Sequence, residues 1–160
     1  MDLSIYISTE GMERLQKRIN SLLAERPEVI QAVAIAREFG DLSENAEYKA
    51  ARERQRAIDG EIDSLRRRAA TLKVVDTSAL PSDIVRFGTL CKTQDEDSGE
   101  IIRYKLVGAH EQNFYEDEGD LQVISIISPI GKGLMGKRVE DTALVHAPMG
   151  DRKLKIIEIT

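Results

Sequence analysis

Two long apolar series, separated by a reversal only a few residues long, constrain this chain more than anything else in it. From Met12 the apolar positions run Met12, Leu15, Ile19, Leu22, Val29, Val33 and Ala36, in steps of three and four. That period is the signature of one buried face of a long helix. A second series, Tyr48, Ala51, Ile58, Ile62, Leu65, Ala69 and Leu72, repeats the spacing, with Gln55 at its polar in-phase position. Between them, Glu38-Phe39-Gly40-Asp41 leaves room only for a tight reversal, with Gly40 suited to the left-handed end of the first helix. Two such helices pair antiparallel. About 30 residues at about 1.5 Å each make a hairpin on the order of 45 Å long. Arg26 breaks the first seam and Pro27 follows it, so a kink or a restarted helix is expected there. Ser8 or Thr9 is placed to cap the start, with Glu10 in the first turn. The spacing alone favours a dimerising or scaffold coiled coil over a finger that probes a deep channel.

The pattern changes after Lys73-Val74-Val75. Asp76-Thr77-Ser78-Ala79-Leu80-Pro81 is rich in turn formers and reads as a linker over 76–81. Short β-like runs follow at Ile84–Lys92, Ile101–Val107, Leu121–Ile127, Thr142–Ala147 and Lys153–Ile159, broken by Gly, Asp and Pro. They predict an antiparallel sheet over 82–160. Turns are expected at Asp95–Gly99 and at Met149-Gly150-Asp151, and a short helix opening near Pro129 and ending at Gly136. The fold class is therefore α+β in two domains, a helical coiled-coil hairpin over 1–75 and a small sheet domain over 82–160.

Charge separates the halves too. Residues 1–75 hold 13 Lys+Arg and 13 Asp+Glu, against chain totals of 23 and 28, so residues 76–160 hold 10 and 15 and carry the whole net charge of −5. An acidic chain is not built to grip nucleic acid by bulk electrostatics. No apolar run approaches the roughly 20 residues of a membrane span, and the N-terminus has no basic and apolar leader pattern. A cytoplasmic location is expected, and the single Cys91, read as a small core residue, fits a reducing compartment.

The chemically informative segment is Gly40-Asp41-Leu42-Ser43-Glu44-Asn45-Ala46-Glu47-Tyr48. On a helix starting here, Asp41 and Glu44, three apart, would share a face and converge on one hard cation such as Mg²⁺. The same pair also reads as an Asp form of the capping box, which only starts a helix. Two carboxylates are too few for a tight independent metal site, so a partner would have to supply the remaining ligands. Arg37 precedes this segment, and Lys49, Arg52 and Arg56 follow at helical spacings where they could meet phosphates, or form a solvated face with Glu53. His110 and His146 have no clustered acidic neighbour in sequence and are assigned no chemistry; Phe87, Tyr104, Phe114 and Tyr115 read as core.

Gly40–Tyr48, flanked by Ala36-Arg37-Glu38 and Ala50-Ala51-Arg52-Glu53, closely resembles the tip motif of the bacterial Gre transcript-cleavage factors. Ser128-Pro129-Ile130-Gly131-Lys132-Gly133-Leu134-Met135-Gly136-Lys137 resembles that family's C-terminal signature, and the likeness covers nearly the whole chain. The resemblance implies a hairpin that enters the secondary channel of bacterial RNA polymerase. There Asp41 and Glu44 would help hold a catalytic Mg²⁺ of the polymerase beside backtracked RNA, with Ser43 orienting the water or a phosphate. It implies RNA contact by Arg37, Lys49, Arg52 and Arg56, no enzyme activity and no cofactor of the factor's own, and a monomer whose FKBP-like second domain docks on the polymerase. Stimulation of cleavage, not inhibition, is expected from the unbroken tip motif. Likeness to the FKBP fold does not by itself bring isomerase activity.

Overall fold

The computed structural model describes residues 3–40, 45–78 and 80–160. In chain order the elements are β1 (Tyr6–Ser8), α1 (Thr9–Arg37), α2 (Ala46–Thr71), β2 (Lys73–Val75), β3 (Leu90–Asp95), β4 (Ile101–Val107), β5 (Leu121–Ser125), α3 (Pro129–Leu134), β6 (Thr142–Ala147) and β7 (Gly150–Ile159). They divide into a helical unit, Arg14–Thr71, and a sheet unit made of Met1–Glu13 with Leu72–Thr160. The helical unit is thus narrower than the 1–75 expected from periodicity.

The helical unit is built on the two seams. Leu15, Ile19, Leu22, Val29, Val33 and Ala36 of α1 are buried, as are Ile58, Ile62 and Leu65 of α2. Arg26, the polar interruption, is answered across the hairpin by Asp59, whose Oδ1 accepts from Nε at 2.6 Å. Arg18 makes a two-pronged bond to Glu61 at 2.9 and 3.1 Å, and Arg54 pairs with Glu25. These bridges are largely exposed, so they contribute register more than stability. The restart expected at Pro27 does not occur: α1 runs unbroken through it. Proline lacks the N–H that would reach the Leu23 carbonyl. Both residues lie on the exposed face, where water can take up that carbonyl.

In the sheet unit five strands are ordered β5-β4-β3-β7-β6. The sheet is mixed and not wholly antiparallel, because β4 and β5 pair in parallel from Arg103↔Leu121 to Val107↔Ser125. Residues 108–120 cross over between them, and parallel neighbours need such a connection. The Asp95–Gly99 turn joins β3 to β4, with the Asp95 carboxylate accepting from the Asp97 and Ser98 amides, and those bonds hold its pKa below the usual carboxylate range. The first expected strand is displaced. Residues 84–89 turn instead of extending, with Thr89 N–H donating to Arg86 O, and β3 begins only at Leu90.

Alternate residues of the strands, including Tyr104, Leu106, Leu154 and Ile156, meet Leu134 of α3 in one core. Cys91 lies in that core, and burial pushes its thiol up to about 12. The thiol therefore stays protonated and enclosed at pH 8, and we expect it to resist a disulfide-exchange reagent in the native protein and react at once in 6 M guanidinium, as read by thiol titration.

A two-stranded parallel sheet was not legible beforehand. β1 pairs with β2 from Tyr6↔Lys73 to Ser8↔Val75, tying the start of the first helix to the end of the second.

Candidate functional site

The turn end of the hairpin is organised by Asn45. Its Oδ1 accepts from the Tyr48 N–H at 3.0 Å, which makes it the N-cap of α2. Its Nδ2 donates to the Ala36 carbonyl at 2.7 Å, satisfying one of the last acceptors of α1. One side chain thus closes both helix ends. Glu38 and Phe39 amides donate back to Ile35 and Ala36, tightening the end of α1, and Gly40 follows at φ +109°.

α2 begins at Ala46, with Asn45 as its cap. Asp41, Ser43 and Glu44 themselves lie outside the described residues. Asn45→Ala should cost about 1–2 kcal/mol, since both a cap and a cross-hairpin bond are lost. Asn45→Asp keeps the acceptor for Tyr48 and should lose less. Thermal unfolding followed by helical circular dichroism separates the two.

Of the four basic candidates, Arg37 lies in the last turn of α1 with its guanidinium 5.7 Å from the centre of the Tyr48 ring. A cation at that distance is attracted by the ring face, which holds the arginine against the hairpin while leaving its fork exposed. Arg52 is half-buried on α2, donating from Nη1 to Gln55 Oε1 at 3.2 Å. Lys49 and Arg56 are exposed on the same helix. Among the described residues no group of three His, Cys, Asp or Glu side chains could hold a metal.

The sheet unit carries a second feature, a shallow groove between α3 and β6 lined by Ile127, Pro129, Lys132, Gly133, Leu144 and His146. Pro129, Lys132 and Gly133 of its lining come from the Ser128–Lys137 segment. Ser128 caps α3 by accepting from Gly131 N–H at 3.0 Å, Pro129 occupies the first helical turn, and Leu134 is wholly buried beneath. Leu144, on β6, is 48% exposed. His146, which has no clustered acidic neighbour in sequence, has Nδ1 2.9 Å from Asp151 Oδ1, an arrangement made by the β6–β7 turn. Both side chains are exposed.

Sequence reasoning passed over Asn45 and Glu111. Asn45 carries a local signal, an Asn three residues before Tyr48 at the opening of an apolar series. Glu111 has none, because Ser8, which gives it two of its hydrogen bonds, lies about a hundred residues away.

Two family models cover the chain. "Transcription elongation factor, N-terminal" matches residues 5–74, and "Transcription elongation factor, GreA/GreB, C-term" matches residues 80–160. Hairpin and sheet unit together define a transcription elongation factor of two domains. The chain belongs to the GreA/GreB family. Transcription elongation factor GreA of Rhodospirillum rubrum is 45% identical over 157 residues, 98% of this chain and 95% of that one. Those of Nitratidesulfovibrio vulgaris and Pelobacter propionicus are 42% and 43% identical, over 98% and 99% of this chain and 94% and 98% of theirs. Among solved structures, GreA factor homolog 1 of Thermus thermophilus is similar over 98% of this chain and 99% of its own at 23% identity and a TM-score of 0.44, a likeness too distant to add to the assignment. No helix among the described residues is long and apolar enough to cross a membrane.

Proposed function

We propose that this factor binds RNA polymerase, places its hairpin in the secondary channel and stimulates the polymerase's own endonucleolytic cleavage of backtracked RNA. The observation that carries the reading is the unbroken Gly40–Tyr48 motif set between two helices that Asn45 locks together. A rigid arm of this kind suits delivery of a few side chains into a deep site, since catalytic groups count only when held close to their working geometry.

Asp41 and Glu44 are hard oxygen donors, suited to Mg²⁺ and too few to hold it unaided. Asp41 and Glu44 would therefore complete the ligand set of an ion held mainly by the polymerase, which would supply charge neutralisation at the scissile phosphate and a more acidic bound water. This chain adds the two carboxylates, with Ser43 orienting the water or a phosphate. Arg37, Lys49, Arg52 and Arg56 supply positive charge along the arm for the extruded RNA backbone. The arginine forks can grip phosphate with two parallel bonds, which a lysine cannot. The chain does no chemistry alone, and it acts as a monomer.

The groove lined by Ile127, Pro129 and Leu144 is the docking surface in this reading, with Lys132 and His146 at its polar rim. An apolar centre with a polar rim is how protein interfaces are commonly built. The test is 3′-end-labelled RNA in stalled, backtracked elongation complexes. Shortened RNA and resumed elongation on adding the wild-type factor are expected. Failure to stimulate at saturating factor would overturn the reading, and inhibition would assign an anti-cleavage role.

A further inference from the structure

Glu111 is fully buried, although a carboxylate is among the side chains least often found inside a protein. Two of the hydrogen bonds to its carboxylate come from Ser8, near the start of the chain. Oε2 accepts the Ser8 amide at 2.7 Å, and Oε1 accepts the Ser8 hydroxyl at 2.5 Å and the Tyr115 hydroxyl at 3.2 Å. Burial pushes the Tyr115 hydroxyl up to about 12, so it stays protonated as a donor across the physiological range.

Ser8 is the N-cap of α1, its Oγ accepting from Gly11 N–H at 2.9 Å. In a capping box the residue at that third helical position is Glu or Gln, whose side chain reaches back to the amide of the capping residue. Here the third position is Gly11, and the bond to the Ser8 amide is made by Glu111. The space is reserved for it: a Cβ on Gly11 would fall 2.6 Å from the Glu111 carboxyl carbon, and one on Gly108 would fall 2.9 Å from Oε2 and 2.3 Å from the Tyr6 carbonyl. The half-exposed Lys105 reinforces the same junction, with Nζ 3.4 Å from Glu10 Oε2 and 5.0 Å from the centre of the Tyr115 ring.

We propose that Glu111 is a positioning residue: it completes the capping box of α1 from the crossover between β4 and β5, and so fastens the root of the hairpin helix into the sheet unit. A capping box within α1 would start the helix equally well and attach it to nothing. Moving the carboxylate onto the crossover makes the helix start and the sheet unit form or open together. The consequence for cleavage rests on the function proposed above. A root that comes loose leaves docking through the sheet unit intact but delivers the tip less often, so the maximal rate falls while the half-saturating factor concentration holds.

The decisive comparison uses the full chain as wild type, Glu111→Ala, Glu111→Gln and the double variant Gly11→Glu/Glu111→Gly, which returns the carboxylate to the helix and removes the residue-111 Cβ that would stand 2.9 Å from a Cβ at position 11. Native-state hydrogen exchange under mild denaturant is read at the Ser8 amide and at the sheet amides of Leu106 and Ile156. In wild type Ser8 should open together with the sheet. In Glu111→Ala its exchange should quicken at least tenfold or so, the size of a lost bond to a buried charge. In the double variant it should regain protection but open independently of the sheet. The maximal cleavage rate should fall several-fold in both, by roughly the same tenfold factor or less, with Glu111→Gln between them and wild type. A double variant that restores the full rate, or a Ser8 amide that never follows the sheet, would overturn the proposal. Should Glu111→Ala fail to fold, Glu111→Gln and the double variant carry the same comparison. If wild type stimulates no cleavage, the proposed function falls while the exchange measurement still decides the tie.

Discussion

Replacing Asp41 and Glu44 together by Ala should lower stimulated RNA cleavage by about a hundredfold or more at limiting Mg²⁺, the scale at which removing preorganised charge stabilisation is felt. Each single replacement should give a smaller loss. Raising Mg²⁺ should recover part of the rate in the single variants, because one remaining carboxylate still favours metal binding and mass action supplies the rest. Two controls make the result specific. The melting temperature should hardly move, since Asn45, which caps the start of α2, is unchanged in these variants. Competition with wild type for polymerase should also be unchanged, as the proposed docking groove is lined by Ile127, Pro129, Leu144 and their neighbours. Intact stimulation by the double variant would sink the tip mechanism and return the two acids to the role of surface charge.

Leu134→Ala should act by the opposite route. Leu134 is the wholly buried anchor of α3, packed in the sheet core with Ile126 and Val145. Truncating it removes buried surface and leaves a cavity, at a cost of about 2–5 kcal/mol. Denaturant unfolding should show the loss as a lower midpoint with an unchanged slope. Pro129, Lys132 and Gly133 of the groove all ride on α3. Factor binding to polymerase should therefore weaken in this variant even below its melting point, whereas the maximal rate at saturation should hold.

The residues differ in how much of their role is legible in the sequence alone. Both helices were legible because a three-four spacing over more than twenty residues has no competing interpretation, and Leu15, Ile19, Ile58 and Ile62 are buried as that spacing requires. The strands were legible as existing and less so in extent: Gly88 and the Arg86–Thr89 turn delay β3, and nothing local distinguishes a parallel neighbour for β5 from an antiparallel one. Pro27 does not end α1 because the apolar seam is buried on both sides of it, at Ile19 and Leu22 and at Val29 and Val33, and that packing outweighs the local cost of one proline. At the hairpin turn the acids stood out through a family resemblance, while Asn45 became visible only when its two hydrogen bonds did. Glu111 illustrates the limit. A buried charge is set by residues distant in sequence, and composition around it reads as an ordinary polar crossover.

The parallel pairing of β1 with β2 also bears on how such a chain can be taken apart. Residues on both sides of the hairpin contribute to the sheet unit, so the helical unit is an insertion within it and not a preceding module. A single genetic crossover in 76–81 would separate β1, Ser8 and Gly11 from the segment that completes them. Exchanging hairpins between relatives without that loss takes two junctions, one just after Glu13 and one just before Leu72, and a chimera made that way keeps its own root while borrowing a foreign arm.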